Sequence, residues 1–373
     1  MAHRSAAAAE APFLDVLGRL GPALLQSLDA LERARRRLHP PILPRLRTEL
    51  APLRPLLDAA LGDLDRTTVS PGLEGLRDGL FRSAKAAARA LALFLDDGPP
   101  ATAVPRILGA MHEHCRAQAL LFPLRKALPP VSRFFLEEPL HPRIEELDPD
   151  VIPEGIRVGL HRAGEEGSRG GFCLYVPESY DGSQPWPLVV ALHGGSGHGA
   201  DFLWTWLVEA RGRRFLLLSP TARGSTWSLD APEIDALALR SMVEFVAASW
   251  RVDGDHVLLT GLSDGATFAT LCGLRDDMPF TALAPVSGVL HPMNFANGNL
   301  ERARGRRIYL VHGALDWMFP VQIAHMARDE LERSGAELVY REIEDLSHTY
   351  PREENDRILS WFDPRLALPG APC

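Results

Sequence analysis

The stretch HVLLTGLSDGATFATLCGL, residues 256–274, decides the fold. It opens with a short apolar run, typical of a strand buried on both faces, and becomes helical after the pentapeptide GLSDG. Gly261 and Gly265 flank Ser263, where a sharp strand-to-helix turn leaves no room for larger side chains. We therefore predict that Ser263 is a nucleophile and that the N–H of Asp264 points toward the same space. The alternative is a glycine-rich turn with a capping serine.

Similar apolar runs, bounded by turn residues, lie on both sides of this stretch, and helical patterns lie between them. Such alternation predicts an α/β fold with a mostly parallel sheet flanked by helices. The predicted strands cover residues 172–176, 187–193, 214–220, 256–261, 281–287, 307–313 and 337–343. The predicted helices between them cover residues 233–250, 266–274, 321–334 and 353–361.

The first part of the chain has a different pattern, rich in Ala, Leu and Arg. Apolar residues at spacings of three and four predict helices near residues 12–38, 45–64, 72–96 and 102–127, which form a small antiparallel bundle. A Pro-rich, acidic stretch follows. We predict an N-terminal helical domain over residues 1–128, a linker or extended segment over 129–156, and the α/β domain over 157–373. The bundle can mediate homo-oligomer formation, cap the active site or bind a partner helix; a simple core is the plainer interpretation.

A serine nucleophile needs a base and an orienting acid, and in this type of fold they follow it in the order acid, then His. Asp316 lies in the loop after the predicted strand 307–313. His348 comes after Asp316 in the chain, and it again follows a predicted strand. We predict Asp316 as the acid and His348 as the base, with Glu344 and Asp345 as alternative acids.

The loop LHGGSG, residues 192–197, follows the strand residues PLVVA, 187–191. Its small residues let backbone N–H groups approach a reacting carbonyl, so the loop is expected to supply a second oxyanion donor. Gly195 is the first candidate for that donor and Ser196 the second. His193 is expected to hold the loop by hydrogen bonds. A plain glycine-rich turn is the alternative.

Several aromatic residues lie near the predicted carboxyl edge of the sheet, where they can bind an acyl or aryl group. Trp227 and Trp317 are the preferred substrate-binding candidates, and ordinary core packing is the alternative for each. His112, His114 and Cys115 do not predict a metal site, because residues two apart on a helix face different sides and no fourth ligand is evident. We also find no phosphate loop and no dinucleotide fingerprint, so no cofactor is expected.

Composition excludes several classes of protein. The net charge of the 373-residue chain is -8, which is not that of a basic nucleic-acid-binding surface. No stretch reaches the ~20 apolar residues of a membrane span. The four cysteines form no disulfide framework. Because the N-terminus also lacks an apolar signal region, we expect a cytoplasmic protein.

The ordered motifs LHGGSG, SPTARGSTW, RVDGDHVLLTGLSDGA, YLVHGALDWMFP and LSH resemble those of α/β-hydrolase esterases. They are most similar to the phospholipase/carboxylesterase and dienelactone-hydrolase-like group, including its polyhydroxybutyrate-depolymerase and feruloyl-esterase-like branch. The resemblance covers about residues 157–365, and none is found for the first 130 residues. Many relatives have a second glycine where this chain has Ala266. Dienelactone hydrolases use a cysteine nucleophile, so Ser263 argues against that activity.

This resemblance implies a triad of Ser263, Asp316 and His348, with the N–H groups of Gly195 and Asp264 as oxyanion donors. It also implies a small-molecule ester as the substrate and a serine carboxylic ester hydrolase acting through an acyl-enzyme. Two alternatives stay open. One is a peptidase or thioesterase on the same fold, and the other is a non-catalytic binding protein that retains the fold.

Overall fold

The computed structural model describes residues 2–165 and 167–368. The chain divides into two compact units, Met1–Phe135 and Leu136–Cys373. Among the described residues, no helix has the length and apolar character needed to cross a membrane. The three-part division predicted from the sequence stays a prediction.

The first unit is helical, as predicted. Its long apolar stripe is buried, with Leu20, Leu24, Leu28 and Leu31 at most 1% exposed. The predicted helix 45–64 is in fact two helices, because the chain turns at Pro52, whose ring removes a backbone donor. The helices are α1 (Ala2–Arg36), α2 (Leu43–Leu50), α3 (Leu53–Arg66), α4 (Glu74–Leu95), α5 (Ala103–Leu121) and α6 (Pro129–Phe134). Helices α1, α3, α4 and α5 pack on one another.

The second unit contains one eight-stranded sheet in the order β1-β2-β4-β3-β5-β6-β7-β8. Strands β1 and β2 run antiparallel to their neighbours, and the other pairs are parallel. The strands are β1 (Gly159–Ala163), β2 (Phe172–Val176), β3 (Trp186–Leu192), β4 (Leu216–Pro220), β5 (Val252–Leu262), β6 (Ala282–Val286), β7 (Arg307–Gly313) and β8 (Glu337–Ile343). The predicted mostly parallel sheet is confirmed, and the second unit has the α/β-hydrolase fold.

The sheet is flanked by helices of very different length. They are α7 (Ile144–Leu147), α8 (Gly199–Phe202), α9 (Leu207–Arg213), α10 (Glu233–Ser249), α11 (Asp264–Gly273), α12 (Met293–Ala296), α13 (Val321–Arg333) and α14 (Glu354–Phe362). Every residue of β3, β4 and β6 is buried, as expected for strands covered on both faces. Because β3, β5, β7 and β8 are parallel, the loops that follow them meet at one edge of the sheet, and this edge carries the predicted site.

The stretch predicted as a linker, residues 129–156, contains short helices: α6, a 3-10 turn over Glu138–Arg143, and α7. Within the second unit, Leu136, Leu140 and Leu147 form a small buried cluster. The guanidinium of Arg213 on α9 donates to Glu137 from Nε at 2.8 Å and to Asp356 on α14 at 2.7 Å. Residues 136–147 are thus packed and ion-paired onto the second unit.

Candidate active site

Ser263 lies at the turn between β5 and α11, in a backbone conformation that side chains rarely adopt. Its φ is 56° and its ψ is −121°. The flanking glycines make this turn possible: a Cβ on Gly261 would lie 2.6 Å from the carbonyl carbon of Gly265, and a Cβ on Gly265 would lie 2.6 Å from the Leu192 carbonyl oxygen. The surrounding backbone therefore fixes Ser263 at the carboxyl edge of the sheet.

The structure brings the three predicted triad residues together. His348 Nε2 lies 2.9 Å from Ser263 Oγ, and His348 Nδ1 lies 2.8 Å from Asp316 Oδ2. The loops after β5, β7 and β8 supply these residues. Among the described residues, Asp316 is the carboxylate that is hydrogen-bonded to His348, and the alternative acids Glu344 and Asp345 are exposed.

The carboxylate of Asp316 is held on both oxygens. Oδ1 accepts the backbone N–H groups of Met318 at 3.0 Å and Phe319 at 2.8 Å, and Oδ2 faces His348. Burial acts to raise the pKa of Asp316, but the hydrogen bonds from His348 and Phe319 lower it, and the net effect holds the pKa below its ordinary value. An ionised Asp316 requires a proton on His348 Nδ1, which leaves Nε2 as an acceptor for the Ser263 hydroxyl.

His312 supports the loop that carries Asp316, here called the acid loop, and no sequence motif marks this histidine. Its ring is fully buried and its Nε2 donates to the Phe319 carbonyl at 2.8 Å. Burial is the main cause that lowers the pKa of His312. A neutral His312 therefore fixes the loop that carries Asp316. Its position at the end of β7 was the available signal.

The loop after β3 lies beside Ser263. A Cβ on Gly194 would be 3.5 Å from Ser263 Cβ. The second oxyanion candidate, Ser196, donates its N–H to the Ser225 carbonyl at 2.9 Å. In the described part of the chain, no acceptor takes the N–H of Gly195, the first candidate. The N–H of Asp264 lies in the first turn of α11, where a helix has no internal acceptors.

His193 holds this loop by hydrogen bonds, as expected. Nδ1 donates to the Gly194 carbonyl at 2.7 Å, and Nε2 accepts the N–H of Ala222 at 3.1 Å. Burial lowers the pKa of His193 to about 4, so the ring is neutral at pH 7. A neutral ring can donate from one nitrogen and accept at the other, which both contacts require.

Arg169, in the hairpin between β1 and β2, also holds the loop after β3 in place, and no sequence motif marks this residue. Its guanidinium donates to the carbonyls of Ala222 at 3.2 Å, Gly197 at 3.1 Å and Ser225 at 3.4 Å. It thereby joins the loop after β3, which lies beside Ser263, to the loop after β4, which contacts Asp264 through the Thr226 hydroxyl.

The two predicted substrate-binding tryptophans lie in different environments. Trp227 is only 3% exposed, stacks on Phe268 at 5.3 Å between ring centroids, and donates its indole N–H to the His193 carbonyl at 2.8 Å. These contacts favour the core-packing alternative for Trp227. Trp317 is 51% exposed and directly follows Asp316, so it offers apolar surface beside the triad. Its role as a substrate contact stays a prediction.

No protein-family model matches the sequence, and no curated protein matches it. Solved structures similar to this chain include an acetyl xylan esterase from Aspergillus awamori, at 17% identity over 55% of this chain and 98% of that chain, with a TM-score of 0.44. An s-formylglutathione hydrolase (FrmB) from Staphylococcus aureus is 12% identical over 56% of this chain and 96% of that chain, also with a TM-score of 0.44. A thermostable esterase is 19% identical over 56% of this chain, with a TM-score of 0.41, and the match covers 58% of that esterase's length.

Proposed function

We propose that this protein is a serine hydrolase that cleaves carboxylic esters through an acyl-enzyme. The observation that carries the proposal is the chain of hydrogen bonds from Ser263 Oγ through His348 to Asp316, at 2.9 and 2.8 Å. Nucleophile, base and acid within hydrogen-bond reach are what acyl transfer by serine requires. The strained backbone of Ser263 supports the same proposal, because strain of this kind is concentrated at functional sites.

In the proposed reaction, Ser263 Oγ attacks the acyl carbonyl while His348 Nε2 takes its proton. Asp316 keeps Nδ1 protonated and stabilises the imidazolium that forms. The N–H groups of Asp264 and Gly195 stabilise the tetrahedral oxyanion, and the glycine-rich loop allows their close approach. His348 then protonates the leaving alcohol. Water, activated by the same His348, releases the acid and regenerates Ser263.

The test compares wild type with Ser263→Ala on a p-nitrophenyl ester series from acetate to palmitate. Ser287→Ala is a matched control, because Ser287 follows the neighbouring strand β6 with a similar φ of 51° and is not part of the proposed triad. We expect Ser263→Ala to lose on the order of 10⁴-fold or more in kcat, and Ser287→Ala to stay active.

Labelling with a fluorophosphonate, followed by mass spectrometry, tests the nucleophile independently of the substrate. We expect one adduct per chain, on Ser263. A folded wild type that neither turns over esters nor takes the label refutes the proposal. Labelling at Ser263 without ester turnover points instead to an amide or thioester substrate.

A further inference from the structure

The side chain of Asp264, the residue after the proposed nucleophile, lies against the oxyanion loop. A Cβ built on Gly195 would be 2.7 Å from Asp264 Oδ2 and 3.5 Å from its Cγ. The carboxylate thus occupies the space that any side chain at position 195 would need. Since the N–H groups of these two residues are the proposed oxyanion donors, the carboxylate lies beside the place where negative charge develops.

Among the residues that the structure describes, this carboxylate has no cationic partner. Oδ2 accepts the hydroxyl of Thr226 at 2.6 Å. Within the described ranges, Oδ1 receives no hydrogen bond, and no Arg, Lys or His forms an ion pair with Asp264. The residue is only partly buried. Many other acids of this unit are ion-paired, including Asp277 with Arg275 at 2.9 Å.

The position of Asp264 is fixed by a braced loop. Thr226 follows Ser225, whose carbonyl accepts the N–H of Ser196 at 2.9 Å and a guanidinium N–H of Arg169 at 3.4 Å. Further along the loop, the N–H of Ser228 donates to Asp235 at 2.9 Å. A side chain held in this way keeps one orientation, as a specificity-determining group must.

An unpaired carboxylate next to an oxyanion opposes the transition state, because like charges repel more strongly where water is partly excluded. A substrate that brings its own hydrogen-bond donor or positive charge removes this penalty. We infer that Asp264 selects acyl groups that carry a hydroxyl or ammonium substituent one or two carbons from the carbonyl, and disfavours acyl groups that carry a carboxylate there. This inference rests on the proposed function and names the substrate class of the same site.

The experiment measures kcat/KM for four p-nitrophenyl esters of similar length: butyrate, 3-hydroxybutyrate, 3-aminobutyrate and hemisuccinate. For the wild type we expect the hydroxy and amino esters to exceed butyrate by about tenfold, as a charge-assisted hydrogen bond would give, and the hemisuccinate to fall below it. The readout is the ratio between esters within each variant, which is insensitive to a general loss of activity.

Asp264→Asn keeps the size and the backbone N–H but removes the charge, and Asp264→Ser removes the carboxylate in a smaller side chain. We expect both to lower the amino-to-butyrate ratio by about tenfold and to raise the relative rate of the hemisuccinate. Asp345→Asn, a loss of the same charge at an exposed position near His348, should leave the ratios unchanged.

Wild-type ratios near one overturn the inference without any variant. Ratios that survive in Asp264→Asn or Asp264→Ser also overturn it, while turnover that still depends on Ser263 leaves the proposed function standing. If none of the four esters is cleaved and Ser263 takes no fluorophosphonate, the proposed function fails, and the inference fails with it.

Discussion

Replacing Asp316 by Asn tests how the acid loop controls His348. The hydrogen bonds of the Asp316 carboxylate are all accepted ones, from His348 at Oδ2 and from the N–H groups of Met318 and Phe319 at Oδ1. His312 Nε2 also lies 3.6 Å from Oδ2. An amide has one acceptor oxygen and one donor nitrogen. The amide therefore cannot accept hydrogen bonds at both positions, and its NH₂ group must face either His348 or the two backbone N–H groups.

The two orientations differ in free energy. If the NH₂ group faces Met318 and Phe319, two partly buried donors lose their acceptor, at up to about 1–3 kcal/mol each. The amide is therefore expected to turn its oxygen to the backbone and its NH₂ group to His348. Nδ1 then becomes an acceptor and the proton moves to Nε2, so His348 cannot take the proton of Ser263. The wrong tautomer lowers kcat by about 10⁴-fold in a triad of this kind.

The assay is hydrolysis of the best p-nitrophenyl ester by Asp316→Asn, with circular dichroism to show that the variant is folded. Glu344→Gln and Asp345→Asn are controls, because both residues are exposed acids in the segment that leads to His348. We expect both controls to retain activity. If Asp316→Asn keeps more than about a tenth of wild-type kcat, or if Glu344→Gln loses as much, the reasoning about the acid is wrong.

Two further predictions concern stability. Because burial lowers the pKa of His193 to about 4 from an ordinary value of 6.5, the unfolded chain binds an extra proton between these pH values. The contribution of neutral His193 to the free energy of unfolding is complete above about pH 6.5 and falls by up to about 3 kcal/mol toward pH 4. Melting temperatures measured from pH 7 to 4.5 should therefore fall less steeply in His193→Asn than in wild type. Arg213→Met removes the guanidinium that pairs with Glu137 and Asp356, and should lower the free energy of unfolding in urea by about 3 kcal/mol. The double variant with Glu137→Leu should regain most of that loss. A loss below about 1 kcal/mol in the single variant would contradict the structural role of residues 136–147.

Much of the second unit was predictable because its central strands are covered on both faces. Runs rich in apolar residues predicted seven of the eight described strands, including the partly exposed edge strand β8, and the predicted bounds of β2, β7 and β8 match the structure. The edge strand β1 was missed since its sequence, GLHRA, has only one large apolar residue and its residues are half-buried or exposed. The short helices α8 and α9 were missed as well, because they have too few turns to show a helical period.

The residues of the proposed triad were predictable because their order along the chain restricts which residues can be acid and base. Features of the site that depend on contacts between distant loops were not predictable. Ser263, Asp316 and His348 follow the carboxyl ends of parallel strands, and the order of acid and base left few alternatives. The brace by Arg169 and the hydroxyl of Thr226 on Asp264 join loops that are far apart in sequence, so no local pattern predicts them. The environment of Trp227 depended on which side of the loop its ring occupies, and spacing does not indicate that.

The positive φ of Ser263 has a consequence for how the protein can change over evolutionary time. A non-glycine residue in this conformation destabilises the native state by about 1–3 kcal/mol, so drift toward greater stability favours glycine at this position. The hydroxyl survives there only while selection for turnover outweighs that pressure. A lineage that no longer needs the reaction is therefore expected to lose the serine early, and to gain thermal stability when it does.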